Sequence, residues 1–248
     1  MEQVIKMCTS NERIGLHLRK VKFGPEDDIV QEFASTIADT FSSNSTNLAI
    51  FFEPQMETGF PDLVLVEYQL RIFDKWKGNR PILKKDDLKI LQHLYNVGGA
   101  RAKDIQCQLG LKSAPLLVSI ERLLDAGMLR RLNNKWVPYS LKNTYAIKNI
   151  TAIEAKISDL RTGIRQAEGN KWFASESYVL SPVQKPSNTT IRKFYKSGVG
   201  VYSIKKNHIT RILPSAQVNL PSCYGSWLFN EWIGQHIYSE FGGGDETQ

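Results

Sequence analysis

Cysteine and histidine, the residues of disulfide frameworks and of most zinc sites, are scarce in this sequence. It contains three cysteines and four histidines among 248 residues. Cys8, Cys107 and Cys223 lie far apart in the chain, and no pair of them has the CxxC spacing. This pattern argues against a disulfide scaffold and against a cysteine-rich zinc module.

Long apolar runs and glycine-rich phosphate loops are also missing. The longest apolar runs, such as residues 48–52, suit buried strands and fall far short of the ~20 residues that cross a bilayer. The first residues lack the basic-then-apolar order of a signal peptide. We therefore expect a cytoplasmic protein with no membrane partner.

The charge that the sequence does have is concentrated in one segment. The formal net charge is +7, from 32 basic and 25 acidic residues. Residues 171–215 hold eight basic residues and one acidic residue, and 8 − 1 = +7 equals that whole excess. A basic segment interleaved with aromatic residues is typical of nucleic-acid binding, and a solvated surface is the alternative.

The apolar pattern divides the chain into three regions. The first contains a helix over residues 25–41 and strands over 48–52 and 63–68, followed by a polar linker over 75–85. The third contains a strand over 145–157, a helix over 158–174, and strands over 175–180 and 200–205. Strands and helices mixed in this way predict an α/β fold.

The middle region, residues 84–138, predicts three helices followed by a two-stranded hairpin. This order resembles a winged helix-turn-helix, a module that binds DNA or mediates dimerisation. Its third helix, predicted over 114–126 with Ser113 as its cap and Leu124 facing inward, has an outward face poor in basic residues. That face carries Val118, Glu121, Arg122 and Asp125. The hairpin offers three basic residues for phosphates, namely Arg130, Arg131 and Lys135, and both roles of the module stay open.

Two short motifs carry the chemistry. Asp62 opens the apolar strand that follows Pro61, and Glu154 and Lys156 interrupt another apolar run. Because side chains alternate along a strand, Glu154 and Lys156 face the same side. Buried charges are costly unless they pair or bind a metal. A carboxylate can bind Mg²⁺, and a nearby lysine can polarise the attacking water. An ordinary ion-pairing face is the alternative.

Pro-Asp followed by Glu-x-Lys resembles the PD-(D/E)XK, or restriction-endonuclease-like, nuclease superfamily. The resemblance implies an αβββαβ core in a discontinuous domain, residues 1–80 and 140–248, with the winged helix of 84–138 inserted. It also implies that Asp62 and Glu154, with the carbonyl of Ala155, bind Mg²⁺, for which Mn²⁺ can substitute. Lys156 would be the catalytic lysine.

Helices on either side of these motifs offer further candidates. At about 100° per residue, Glu26 falls on the apolar face of the first helix and Glu32 falls away from it, so we choose Glu26 as the first-helix acid. An acid that only offsets the helix dipole is the alternative for Glu26. Some family members place Gln-x-x-x-Tyr in the second helix, and this chain has Gln166 with Asn170 at the aromatic position. Candidate phosphate contacts are Arg161, Arg165, Lys171, Arg192 and Lys193.

The sequence therefore predicts an Mg²⁺-dependent DNA endonuclease that hydrolyses phosphodiester bonds. Cutting both strands is simplest with two active sites, so we expect a homodimer. The resemblance further implies a role in defence against foreign DNA. The alternatives are a winged-helix DNA-binding regulator with a non-catalytic nuclease-like scaffold, and a nuclease subunit that is active only with a partner protein.

Overall fold

A computed structural model gives the fold of residues 3–20, 23–76 and 78–241. It is an α/β structure with one seven-stranded mixed sheet and a separate two-stranded hairpin. The strands are β1 Val4–Met7, β2 Asn47–Phe52, β3 Leu63–Tyr68, β4 Leu129–Leu132, β5 Lys135–Pro138, β6 Ile147–Ala155, β7 Glu176–Ser181, β8 Gly200–Lys205 and β9 His208–Leu213. The helices are α1 Pro25–Thr40, α2 Lys85–Val97, α3 Ala102–Leu109, α4 Ser113–Asp125, α5 Leu141–Thr144, α6 Leu160–Asn170, α7 Asn188–Ser197 and α8 Tyr224–Phe241.

The large sheet has the order β1-β2-β3-β6-β7-β8-β9. β3 pairs antiparallel with β2 and β6, whereas β7 pairs parallel with β6 and β8. β3 and β6 are neighbours in the sheet but not in the sequence, because the stretch of chain that joins them contains the hairpin β4–β5. No helix among the described residues is long and apolar enough to cross a membrane.

Close contacts divide the chain into two compact units. The first comprises Met1–Glu12, Leu16–Tyr68 and Ile147–Ser222, and the second comprises Arg13–Gly15, Gln69–Ala146 and Cys223–Gln248. The sequence prediction assigned residues 140–248 to the nuclease-like domain. In the structure, the part from Cys223 onward, which contains α8, groups instead with the middle region of the chain.

The first unit buries apolar residues on both faces of its sheet. On β7, Tyr178 packs in the cluster that contains Phe33 of α1, while its neighbour Val179 packs in the cluster that contains Ala167 of α6. Successive strand residues point to opposite faces, so α1 covers one face and α6 covers the other. Pro25 at the first turn of α1 suits a helix start, because its missing N–H is not needed there.

The second unit contains the helices α2, α3 and α4 and the hairpin, in the predicted order. α4 begins at Ser113 itself, so Ser113 is not the residue before the helix, and its hydroxyl accepts from Gln106 at 2.6 Å. Leu124, predicted to face inward, is exposed, whereas Leu123 beside it is fully buried. These two differences correct the sequence interpretation of α4.

Several elements escaped the sequence analysis. β1, β9, α7 and α8 have no counterpart in it, although Ser187 caps α7 through the backbone N–H of Thr190. α8 mixes buried polar residues, Asn230 and Glu231, with the buried Trp227 and Trp232, so it lacks the two-sided pattern of a surface helix. Its indole nitrogen at Trp227 donates to Gln92 of α2 at 2.8 Å.

Candidate active site

The register of β3 and β6 brings the two predicted carboxylates together. Leu63 is paired with Ile153, so the adjoining positions Asp62 and Glu154 lie opposite each other across the antiparallel pair. Opposite residues of such a pair have their side chains on the same face. Asp62 is also fixed by its Oδ2, which accepts from the backbone N–H of Ala155 at 2.7 Å. Residues 92 positions apart in sequence thus form one site.

Glu154 is the most deeply buried member of this group. It is 3% exposed, and the side-chain amide of Asn170 donates to its Oε1 at 2.7 Å. Burial, with the neighbouring charge of Asp62 as the next cause, raises the pKa of Glu154 to about 8. Burial likewise raises the pKa of Asp62. Without a bound metal ion, the raised pKa of Glu154 favours its protonated form at neutral pH.

Lys156 extends the same group from the end of β6. Its backbone N–H donates to the carbonyl of Leu180 at 2.9 Å, so it continues the pairing with β7 although β6 ends at Ala155. Its side chain passes close over α6, where a Cβ at Gly163 would lie 2.9 Å from Cγ of Lys156. The absence of a side chain at Gly163 leaves room for the lysine stem.

The first helix contributes Glu26. Nζ of Lys156 donates to Oε2 of Glu26 at 3.0 Å. Glu32 lies elsewhere, with its Oε1 accepting from the backbone N–H of Asn207 in the turn between β8 and β9. The structure thus brings Glu26, and not Glu32, to the lysine.

Sequence reasoning missed Glu53 and Arg19. Glu53 follows β2 directly, its backbone N–H donates to the carbonyl of Asp62 at 3.2 Å, and its carboxylate pairs with Arg19. Glu53 has a φ of 45°, an uncommon conformation outside glycine. The two residues line a cavity of about 140 Å³ with Asp62 and Glu26. The sequence signal that could have found Glu53 is a charged residue directly after a buried strand, and this signal is weak because it occurs in many proteins.

Acidic groups outnumber basic groups around this site. Among the described residues here, Asp62, Glu154, Glu26 and Glu53 face Lys156 and Arg19, and the charges of Glu53 and Glu26 add to the raised pKa of Asp62. A site with excess acid, partly buried, is stabilised by a bound cation.

The donor atoms fit a hard divalent cation. Within the described residues, no group of three or more His, Cys, Asp or Glu side chains is placed to hold a metal. Mg²⁺, however, usually binds one or two protein carboxylates and completes its shell with water and substrate phosphates. The carboxylates of Asp62 and Glu154, with the carbonyl of Ala155, offer such an all-oxygen set, and the excess of acid gives it the right charge.

α6, the second helix of the predicted core, contacts the site through Asn170, whereas the family resemblance implied Gln166. Gln166 is exposed on α6, and among the described residues it has no hydrogen bond to the carboxylates. Asn170, one turn further along, is 3% exposed and holds Glu154. The sequence had shown Asn170 only as a departure from the family's aromatic residue.

The predicted phosphate contacts of the first unit lie mainly along α6 and α7. Arg161, Arg165 and Lys193 line one groove of about 490 Å³, together with Lys196 and the acidic Glu168. Arg192 is exposed on α7. Lys171 is tied down instead, because its Nζ donates to the carbonyl of Ser197 at 2.8 Å.

The predicted contacts of the second unit all belong to the hairpin. Arg130, Arg131 and Lys135 are exposed, and the guanidinium of Arg131 lies 5.6 Å from the ring centroid of Trp136. Arg122 was predicted to face outward from α4. In the structure its Nε and Nη2 donate to the carboxylate of Asp87 at 2.8 and 2.7 Å.

Comparisons of the chain with protein-family models, with curated proteins and with solved structures found no match.

Proposed function

We propose that the protein is a metal-dependent DNA endonuclease with its active site in the first unit. The observation that carries this proposal is the placement of Asp62 opposite Glu154, with Lys156 two residues further along the chain, just beyond the end of β6. The chain order α1, β2, β3, β6, α6, β7 also agrees with the αβββαβ order of the PD-(D/E)XK superfamily. Neither motif alone is specific, but their meeting at one sheet end supports the proposal.

The residues have separable roles in phosphodiester hydrolysis. Asp62, Glu154 and the carbonyl of Ala155 would hold Mg²⁺ or Mn²⁺, which supplies a Lewis acid and an activated water when bound. Lys156 places a positive charge at the mouth of the site, where it can orient the water and stabilise the charge that develops on the phosphate.

Two further residues position these groups. Glu26 fixes the Lys156 ammonium at 3.0 Å, and Asn170 fixes one oxygen of Glu154 at 2.7 Å. Both contacts restrict the rotamers of the reacting groups, which is how precise geometry contributes to rate. Glu26 and Asn170 would act as positioning residues, and Gln166 would be a further candidate on the same helix as Asn170.

DNA is the proposed substrate because basic residues of the first unit lie on two helices, α6 and α7, that line one groove. Arg161, Arg165 and Lys193 can neutralise backbone phosphates, and the exposed ring of Tyr195 on α7 can stack on a base. The helices and hairpin of the second unit would form a winged helix, and a homodimer would supply two active sites for duplex cutting. A cytoplasmic role in defence against foreign DNA is consistent with this activity.

The proposal is tested by incubating purified protein with supercoiled plasmid in Mg²⁺ or Mn²⁺. Wild type should nick or linearise the plasmid, whereas Glu154→Ala should not. Glu67→Gln is the matched control, because Glu67 lies at the opposite end of β3 from Asp62. Intact plasmid in every lane, despite a metal-independent gel shift, would favour the winged-helix regulator. Cutting that requires a cell extract would favour the partner-dependent subunit.

A further inference from the structure

α4 has two apolar faces, and only one of them is buried. Leu116, Ile120 and Leu123 are fully covered, as expected for a helix packed on its own unit. On the other side, Leu117 is 59% exposed and Val118 is 49% exposed. A helix that is apolar on both sides normally has something packed on each of them.

The polar residues of this outer face are acidic. Glu121 and Asp125 are exposed on it, one and two turns beyond Leu117. The one basic residue that the sequence placed there, Arg122, is bound to the fully buried Asp87. An acidic and apolar face is a poor match for the phosphates and base edges of a DNA groove.

The hairpin of the same unit presents the complementary surface. Arg130 is paired with Val137, and Leu132 is paired with Lys135. Cross-strand partners share a face, as do residues two apart on one strand, so Arg130, Leu132 and Lys135 all point the same way. Leu132 is 48% exposed between the two cations. This face is apolar with basic flanks, where α4 is apolar with acidic flanks.

We propose that α4 of one copy packs on the β4–β5 hairpin of a second copy, in a dimer with two-fold symmetry. Leu117 and Val118 would cover Leu132 of the second copy, and Glu121 and Asp125 would face its basic residues. A two-fold axis makes each such contact twice, so one chain needs only the two complementary surfaces that this unit has. Charge complementarity fixes the register, and apolar burial supplies the affinity.

This interface does not depend on the proposed nuclease activity. It assigns the cations of the hairpin to the second copy and leaves DNA contacts to the first unit. The oligomeric state and the cleavage of DNA can therefore be measured separately.

The test is light scattering of the purified full-length chain over a range of concentrations, with charge-reversed variants. Wild type should approach twice the chain mass of 28.2 kDa. Glu121→Lys and Arg130→Glu should each raise the dimer dissociation constant by at least about tenfold. An equimolar mixture of the two variants should recover the dimer, because each mismatched charge then meets its opposite. Lys103→Glu, on the exposed surface of α3, is the control for charge change alone.

Recovery in the mixture separates a broken interface from a broken fold. A chain that is monomeric at every concentration would overturn the proposal, and so would a dimer that is insensitive to both variants. Monomeric protein whose affinity for duplex DNA falls on Arg130→Glu, but not on Lys103→Glu, would assign the hairpin to DNA instead.

Discussion

The two units bury charge in opposite ways. In the second unit, each buried anion faces one cation through two hydrogen bonds: Glu231 binds Arg80 at 2.8 and 2.7 Å, and Asp87 binds Arg122 at 2.8 and 2.7 Å. Arg80 also lies over the ring of Trp76, 3.5 Å from its centroid. In the first unit, Glu154 accepts a hydrogen bond from the amide of Asn170, and the charge of a second acid, Asp62, adds to its raised pKa.

The contrast separates structural charge from functional charge. A carboxylate whose two oxygens are both held by one guanidinium has its charge balanced, and it needs no further cation. A buried carboxyl beside other carboxyls is incomplete until a cation arrives, and its raised pKa is the sign of that deficit. Burial alone would have ranked Glu231 and Glu154 together, at 2% and 3% exposed.

The largest effect that tests this contrast is on stability. Glu231→Gln should lower the free energy of unfolding by about 3–5 kcal/mol, because it leaves the Arg80 cation buried without its partner. Glu154→Gln should leave the metal-free stability unchanged or raise it, because it removes an acid from an acid-rich site. Urea denaturation of both variants makes the comparison, and an equal loss in the two would mean that Glu154 is also a structural charge.

Lys156→Ala should reduce plasmid nicking by about a hundredfold to a thousandfold, the cost of removing one electrostatic stabiliser from an active site. DNA binding should change little, since the groove residues of α6 and α7 remain. Lys148→Ala is the matched control, because Lys148 is exposed on the same strand. A similar rate for Lys156→Ala and wild type would remove the lysine from the catalytic group.

Asn170→Ala should raise the Mg²⁺ concentration needed for half-maximal nicking by about tenfold to a hundredfold, because Glu154 loses the donor that orients it. Gln166→Ala, on the same helix, should shift it less. This readout distinguishes positioning of a ligand from a general loss of folding. A larger shift for Gln166→Ala would return the role to the residue that the family resemblance implies.

The last expected effect is a pH dependence of stability in the metal-free protein. The pKa of Glu154 is about 8 in the folded chain, against an ordinary value of 4.5. The folded state therefore keeps a proton that the unfolded chain loses, and stability should fall as the pH rises between these two values. The slope is at most about 1.4 kcal/mol per pH unit for one proton. Urea titrations with a chelator at about pH 5.5 and about pH 7.5 should show this fall in the free energy of unfolding for wild type, and a smaller fall for Glu154→Gln. An equal fall in the two proteins would contradict the raised pKa.

Local pattern was enough to predict part of this arrangement. A continuous apolar run that follows turn residues correctly put β3 at residues 63–68, and the pattern of the middle region correctly put α3 at residues 102–109. Rotation around α1 selected Glu26, which is the acid that contacts Lys156.

The parts that could not be predicted depend on contacts between distant segments. Asp87, the partner of Arg122, is 35 positions away. Asn170, the partner of Glu154 on α6, was not predicted because the family has an aromatic residue at that position. α8 carries no amphipathic signal, so neither its existence nor its place in the second unit could be inferred. The partner of a buried charge, and not its spacing in the sequence, decides whether that charge is free to act.

The most direct test of the account is calorimetric titration of the chain with Mn²⁺, before any DNA is added. We predict that wild type and Glu67→Gln bind the ion at one site, and that Glu154→Gln weakens that binding by at least about tenfold. Equal binding by wild type and Glu154→Gln would contradict the claim that the acid excess around Glu154 is a metal site.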